Sequence, residues 1–150
     1  MAMKHNLKVE SVLLPQGMQV DSRARQFSVR ADEPKELGGT DTGPNPVELL
    51  LCALGACQCL TARFVARMKR MDLQEYRVEL EGELDMEGFL KADGSIRPGL
   101  QAIRVRTYVK SAHPPEEVKA LLAEVEKRCP VGDSILHGVP IEMSHEIVSP

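Results

Sequence analysis

Hydrophobic and polar residues alternate along the first thirty positions of the chain, a period that is typical of β-strands. Leu7, Val9 and Ser11 fall on one face of such a strand, and a Pro-Gln-Gly turn follows at positions 15–17. A second alternating run, over residues 27–31, continues the pattern. The pattern predicts a meander of three short strands at the N-terminus of the chain.

A loop and a strong helix start come next. Residues 32–44 are dense in Gly, Pro and Asp, and their number exceeds the roughly 4–6 residues of an ordinary connection. Asn45 is a favourable N-cap, and Pro46 takes the first helical position, where its missing N–H costs nothing. Glu48 completes the pattern of a capping box. The sequence therefore predicts that a helix begins at this point.

This helix is predicted to continue to about Arg70, and its first half has an unusual composition. Residues 49–57 carry no charge on any face. A helix that is apolar on every side has to be buried on every side. In a chain of this length, either a sheet that curls around the helix or a second subunit must cover it.

The second half of the chain repeats the strand and helix patterns. Alternation from 75 to 86 and again over 103–109 predicts an antiparallel hairpin with one exposed face. Pro114 and Pro115 then open a second helix, whose apolar stripe extends to Cys129. Pro130 cannot continue that helix, so it ends there.

Alternating apolar residues from 139 to 148 predict one last strand. The resulting order of elements is βββ-α-ββ-α-β. Strands and helices in this order are typical of the α+β class, and we expect residues 1–150 to form a single domain.

Composition narrows the function classes. The 150 residues include 19 Lys and Arg and 22 Asp and Glu, and 43% are hydrophobic, as in a soluble globular domain. The chain has no uninterrupted run of about 18 to 20 apolar residues and no signal-peptide pattern at its start. We therefore expect a cytoplasmic protein without a membrane partner. A net charge of −3, no basic tract and few aromatic residues argue against nucleic-acid binding.

The four cysteines, Cys52, Cys57, Cys59 and Cys129, carry the candidate chemistry. Cytosolic thiols stay reduced, so these residues serve packing, metal binding or redox chemistry rather than a disulfide framework. At about 100° per residue, Cys52 and Cys59 share a helix face from which Cys57 points away. The set therefore does not converge on a metal, and Cys52 and Cys59 are predicted to fill a helix interior. Cys129, at a helix end before a proline, is a redox candidate.

A reactive thiol needs a thiolate, and a thiolate needs a nearby cation or a helix N-terminus. Cys57 lies about a dozen residues into its helix, where the dipole has little effect. Arg25 and Arg30, with Arg23 beside them, are the candidate cations, although each could equally be a solvated strand residue. Glu48 is a possible orienting carboxylate, although its capping position accounts for it as well. The four histidines form no spaced cluster, and a Ser-His-Asp hydrolase has no support.

Two motifs resemble the OsmC/Ohr family. The first runs from Lys35 through Asn45-Pro46 to Gly55-Ala56-Cys57, and the second is Cys129-Pro130-Val131. The family comprises osmotically inducible protein C, the organic hydroperoxide resistance proteins and a third, less characterised group, to which this chain looks nearest. The loop, the cysteine-bearing helix, the hairpin, the second helix and the last strand all fall in family order.

The resemblance implies an OsmC-like fold in an intertwined homodimer, with two central helices packed together between antiparallel sheets. It also implies a thiol peroxidase that reduces organic hydroperoxides in oxidative-stress defence. Cys57 would attack the peroxide oxygen and become a sulfenic acid, and Cys129 would condense with it to a disulfide. An external dithiol, lipoyl-linked in some members, would restore both thiols without a metal or a bound cofactor.

Two positions depart from the family pattern. Family peroxidases place a Glu directly after Asn-Pro, but that position is Val47 here, and Glu48 follows about 100° further around the helix. The family's catalytic Arg in the first hairpin aligns with a segment that ends in Gln19. A cysteine-based peroxidase is still the function we expect, and two alternatives stay open: a non-enzymatic module of the same fold that binds an apolar small molecule or senses redox state, and a thiol-disulfide exchange protein.

Overall fold

The structure is a computed structural model that describes residues 3–150, and the chain forms two compact units, Met1–Cys52 and Ala53–Pro150. That residues 1–150 form a single domain stays a prediction. In chain order, the elements are β1 (Glu10–Leu13), β2 (Val20–Ala24), β3 (Phe27–Ala31), a 3-10 turn (Lys35–Leu37), α1 (Pro46–Lys69), β4 (Leu73–Leu84), α2 (Met86–Lys91), β5 (Leu100–Ser111), α3 (Pro115–Arg128) and α4 (Pro130–His137).

The first unit contains the predicted meander. Strands β1, β2 and β3 form an antiparallel sheet in that order. The register places Asp21 opposite Arg30 and Ser11 opposite Ser22, whose hydroxyls are 2.7 Å apart. Arg25 occupies the tight turn between β2 and β3 with a φ of 56°, in the left-handed region. The loop after β3 leads into helix α1, which begins and ends within a residue of the predicted bounds.

The second unit consists of the β4–β5 hairpin and the helices that pack on it. The two strands have twelve residues each and pair antiparallel. Gly55 of α1 lies so close to β4 that an added Cβ would be 2.9 Å from Leu80 and 3.4 Å from Val78. The buried core joins α1, β4 and α3 through Ala62, Val65, Ala66, Leu73, Leu121 and Val125.

The α+β class and the antiparallel pairing are confirmed, but the predicted order of elements needs three corrections. Helix α2 lies in the connection of the hairpin, where the predicted order contains no helix. A new helix, α4, begins directly at Pro130, because a proline that ends one helix also fits the first position of the next. The predicted last strand over residues 139–148 is wrong: this segment belongs to no helix or strand. Alternation produces a strand only where an edge is available for pairing.

Helix α1 is long and apolar enough, by length and composition alone, to cross a membrane, with a mean hydropathy of 1.8 in its most apolar window. The helix contains no uninterrupted apolar run of that length, but its mean hydropathy over 18 residues is high enough. A core helix of a soluble protein passes the same test. In the second unit, α1 supplies half of the buried core residues, and 33% of its most apolar window is buried.

Candidate functional site

Two of the four cysteines meet in the second unit. Cys57 is on α1, and Cys129 is the residue between α3 and α4. The Cys57 side chain is close enough to Cys129 to raise the pKa of the Cys129 thiol. Cys129 is only 1% exposed, whereas Cys57 is partly exposed. The site therefore pairs one thiol that solvent reaches with one that it does not.

The start of α4 positions the Cys129 thiol. Cys129 is the N-cap of this helix, and its Sγ accepts a hydrogen bond from the N–H of Gly132 at 3.4 Å. Its carbonyl accepts from the N–H of Asp133 at 2.9 Å. A Cβ added at Gly132 would lie 3.4 Å from the Cys129 Sγ and 3.6 Å from Leu54 of α1. Cys57 is three residues after Leu54, so both are on the helix face that meets the start of α4.

Burial is the main cause that raises the pKa of the Cys129 thiol above its ordinary value. The N–H groups of Gly132 and Val131 act in the opposite direction, because they stabilise a thiolate. Cys57 raises the pKa of Cys129 further, both as a hydrogen-bonding partner and through its negative charge when ionised. Cys129 therefore stays protonated at neutral pH, most firmly while Cys57 is a thiolate.

The other two cysteines lie outside this pair. The Cys59 thiol is half-buried and donates to the carbonyl of Tyr76 at 3.8 Å, a packing role consistent with the prediction. Cys52 is exposed, so the prediction that it fills a helix interior is wrong within this chain. Among residues 3–150, no group of three or more His, Cys, Asp or Glu side chains could hold a metal ion.

Two of the three candidate cations, Arg25 and Arg30, differ in their contacts within the first unit. The Arg30 guanidinium forms two hydrogen bonds to the Asp21 carboxylate, at 2.8 and 2.9 Å. Arg25 lies over the ring of Phe27, 5.0 Å from its centroid, and forms no ion pair with any described residue. The charge of Arg30 is thus neutralised locally, and that of Arg25 is not.

Glu48 has a structural role at the start of α1. Its carboxylate accepts a hydrogen bond from the N–H of Asn45, and its own N–H donates to the Asn45 side-chain oxygen, both at 2.8 Å. This reciprocal pair is the predicted capping box. Val47, the residue directly after Asn45-Pro46, is an apolar residue within this first turn.

A polar cluster that the sequence did not reveal organises the loop after β3. The carboxylate of Asp32, which is 1% exposed, accepts from the hydroxyls of Thr40 and Thr42 at 2.6 and 2.8 Å. The backbone N–H groups of Glu33, Thr40 and Thr42 also donate to it. The side-chain amide of Gln19 donates to both Thr hydroxyls at 2.9 Å. We call Asp32, Thr40, Thr42 and Gln19 the Asp32 cluster.

The hydrogen bond from the Thr40 hydroxyl is the main cause that lowers the pKa of Asp32 far below its ordinary value. Burial acts against this effect, and the donors of Thr42 and Glu33 add to it. The side chain of Gln19 therefore stabilises this loop with a neutral amide. The only sequence signal was an Asp before a Thr-x-Thr in a Gly-rich loop, a pattern too common to indicate a buried carboxylate.

Comparison with known proteins identifies the family. A sequence profile of the OsmC-like protein family matches residues 39–144, more than half of the chain. A hydroperoxide reductase of Mycoplasma genitalium is 28% identical over 120 residues, which are 79% of each protein. The solved structure of an OsmC-like protein from Mycoplasma pneumoniae is 23% identical, covers 91% of both chains and has a TM-score of 0.77.

A second solved structure extends the likeness to the hydroperoxide resistance proteins. It is a putative organic hydroperoxide resistance protein from Vibrio cholerae, with captopril bound in one of its active sites. It is 20% identical, covers 92% of this chain and 89% of its own, and has a TM-score of 0.65. These relatives support a peroxidase-like role at the level of the family. The profile match and the shared fold show that this chain belongs to the OsmC-like protein family.

Proposed function

We propose that this protein is a thiol-dependent peroxidase that reduces organic hydroperoxides with Cys57 and Cys129. The observation that carries the proposal is the proximity of the two thiols, one partly exposed and the other 1% exposed. A peroxidase of this type needs a reachable nucleophile and a second thiol held beside it. The relatives named for hydroperoxide reduction or resistance support the same substrate class.

In the proposed reaction, the Cys57 thiolate attacks the hydroperoxide and breaks its O–O bond. The sulfur keeps one oxygen as a sulfenic acid, and the other oxygen leaves with the organic group and takes up a proton as the alcohol. The Cys129 sulfur then attacks the sulfenic sulfur, a disulfide forms and water leaves. An external dithiol, such as one of the lipoyl type, supplies two electrons and returns both cysteines to thiols.

The electrostatics of the pair support this division of roles. Burial holds the proton on Cys129, and a Cys57 thiolate beside it strengthens that effect. When Cys57 becomes a neutral sulfenic acid, this charge is lost and Cys129 ionises more readily. Cys129 therefore becomes a better nucleophile at the step that requires it, and Cys57 is the first thiol to react.

Arg25 is the candidate cation that we carry forward, since Arg30 is engaged by Asp21. Under this proposal, Arg25→Ala slows the oxidation of Cys57 by about tenfold, because a thiolate without a cation is less populated at neutral pH. Arg30→Ala is the matched control and keeps the rate within about twofold. Equal rates for both variants would remove Arg25 from the site. Glu48 is assigned to capping rather than to catalysis.

We also propose a homodimer in which a second copy covers the exposed stripe in the second half of α1. Leu60, Phe64 and Met68 recur every four residues on this helix and are 72%, 57% and 54% exposed. Such a stripe on a helix is a surface that another protein covers. Sedimentation is expected to show twice the 16.6 kDa chain mass, and Phe64→Lys is expected to shift the protein to monomer. A monomeric wild-type protein would contradict the dimer.

We place the protein in the cytoplasm.

The experiment that tests the function is stopped-flow oxidation of the reduced protein by cumene hydroperoxide and by hydrogen peroxide. Rapid oxidation that favours the organic peroxide is expected for the wild type. Cys57→Ser is expected to lose it by at least about a thousandfold, and Cys129→Ser to stop at the sulfenic acid. Cys52→Ser is the matched control, because Cys52 is exposed on the same helix and outside the pair.

Other outcomes would identify the alternatives. Oxidation no faster than that of a free thiol would leave the binding or redox-sensing module, and ligand binding at the dimer interface would be measured next. Reduction of disulfides without any peroxide chemistry would favour the exchange protein. Either result would overturn the peroxidase.

A further inference from the structure

The two sulfurs of the Cys57–Cys129 pair differ in what surrounds them, and this difference bears on how the pair is reduced. Cys129 is 1% exposed, behind α1 on one side and against the start of α4 on the other. Cys57 is partly exposed. Thiol-disulfide exchange requires in-line access to the sulfur that is attacked, so a reductant from solvent reaches Cys57 first.

We propose that the reducing dithiol attacks the Sγ of Cys57 and that Cys129 leaves as a thiolate held by backbone N–H groups at the start of α4. This assignment rests on the disulfide of the proposed function and adds the order of its reduction. Gly132 is the positioning residue, because its N–H already points at the Cys129 Sγ from 3.4 Å.

One thiolate of the dithiol forms a bond to the Cys57 Sγ, and the Cys57–Cys129 bond breaks with its electron pair on Cys129, which then takes up a proton. The second thiolate of the dithiol attacks its own sulfur in the mixed disulfide, so that Cys57 leaves as a thiolate and the reductant becomes a cyclic disulfide. The dithiol gives up two electrons, and the two cysteines receive them.

A buried leaving group needs stabilisation at the moment when the charge forms. Burial disfavours a Cys129 thiolate, and the N–H groups of Gly132 and Val131 favour it. In the mixed disulfide, Cys57 carries no ionisable thiol, so the negative charge that opposes ionisation of Cys129 in the reduced protein is absent. The amides then stabilise the Cys129 thiolate without that opposition. Cys129 therefore leaves more readily than its raised pKa in the reduced protein would indicate.

The close approach at Gly132 fits the same role. An added Cβ would lie 3.4 Å from the Cys129 Sγ, which is an ordinary van der Waals contact. Alanine therefore fits at this position and keeps the N–H against the sulfur. The eight residues of α4 align their peptide dipoles behind this N–H, which favours negative charge at the N-terminus of the helix.

The first test identifies the sulfur that is attacked. The wild-type protein is oxidised with diamide, which forms the disulfide without a peroxide, so an inert peroxidase would still report on this step. The disulfide is exposed briefly to 2-mercaptoethanol, quenched in acid, capped with N-ethylmaleimide and digested with trypsin. Cleavage after Lys35, Arg63 and Arg128 separates Cys57, in peptide 36–63, from Cys129, in peptide 129–150.

We expect the mercaptoethanol adduct on Cys57, with fragment ions separating it from Cys52 and Cys59, and the maleimide on Cys129. The adduct on Cys57 should exceed that on Cys129 by at least about tenfold at the earliest times. A dominant adduct on Cys129 would overturn the proposal. Failure of diamide to join the two cysteines would overturn it as well.

The second test concerns the N–H of Gly132. Gly132→Pro deletes it at a helical position whose N–H lies outside the helix ladder, and Gly132→Ala keeps it. Dithiothreitol should reduce the disulfide of the proline variant about tenfold more slowly than that of the alanine variant, which stays within about threefold of the wild type. A residue that precedes a proline disfavours helix, and in Gly132→Pro this residue is Val131. Circular dichroism therefore checks that both variants fold. Equal rates in folded variants would overturn the role of this N–H.

Discussion

The carboxylate of Asp32 and the thiol of Cys129 are equally buried, at 1% exposure each, yet they carry opposite charge states. Asp32, in the unit Met1–Cys52, has a pKa far below its ordinary value and stays ionised. Cys129, in the unit Ala53–Pro150, has a pKa above its ordinary value and stays protonated. Burial alone therefore does not decide the charge of a buried group in this protein.

The donors around each group explain the difference. Two hydroxyls and three backbone N–H groups point at the Asp32 carboxylate, so that its charge is fully satisfied. Cys129 has the N–H groups of Gly132 and Val131, and it lies beside a second thiol that can itself become negative. A buried charge that accepts many hydrogen bonds stabilises the structure around it. A buried group with few donors can change its protonation state during a reaction.

Asp32→Ala is expected to have the largest effect on stability, because it leaves the buried donors of the loop without an acceptor. The melting temperature at pH 7 should fall by several degrees. The folded pKa of Asp32 is depressed, so its contribution is present above the unfolded value of about 3.9 and is lost as the pH falls towards the folded value. The difference from wild type should therefore narrow in melts recorded below about pH 4.

Asp93→Ala is the control for this prediction. Asp93 also has a lowered pKa, mainly from the hydroxyl of Ser95, but it is exposed in a turn. Its loss should barely change the melting temperature, because water replaces the lost hydrogen bonds. Equal losses for both variants would show that burial of Asp32 adds nothing.

Cys129 should make the reduced protein less stable in alkali. Its folded pKa is raised, so its contribution is fully present below the unfolded value of about 8.5 and is lost as the pH rises through the folded value. Urea unfolding at pH 7.5 and 10, in the presence of a reductant, should show a smaller alkaline loss for Cys129→Ala than for the wild type. Cys52→Ala, at an exposed thiol, should lose as much as the wild type. The same loss in all three proteins would contradict the raised pKa.

Gln19→Ala is expected to have the smallest effect of the three. It removes two hydrogen bonds to hydroxyls that continue to donate to Asp32, at a cost of about 1 kcal/mol in the free energy of unfolding. Urea titration measures this, with Gln16→Ala in the exposed turn nearby as the control. A loss as large as that of Asp32→Ala would mean that the cluster fails as a unit rather than one hydrogen bond at a time.

Local signals in the sequence determined much of the fold. The capping box of Asn45 and Glu48 satisfies its own donors within four residues, so the start of α1 could be predicted from the residues alone. The strands β4 and β5 could be predicted in the same way from the alternation of neighbouring residues. The end of α3 could be predicted from Pro130, which directly follows Cys129. The family was likewise evident from two short motifs, and the profile match over 39–144 confirmed it.

Patterns that depend on a partner were less informative. Residues 139–148 alternate as a strand does, but a strand forms only against an edge, and none pairs with them in the described chain. The exposure of Cys52 has the same origin, because helix spacing places it on a face without stating what covers that face. Such predictions require knowledge of the neighbouring surface, which a single sequence does not contain.

The sequence by itself determined the α+β class, the cysteine-bearing helix and the candidates Cys57 and Cys129. Only the tertiary structure decided that these two thiols lie close together, that Cys129 is the buried one, and that Asp32 is enclosed by donors up to ten residues further along its own loop. The physical reason is the range of the interactions. Helix caps and alternation act between residues a few positions apart, whereas the burial and hydrogen bonding that set a charge state come from segments that only folding brings together.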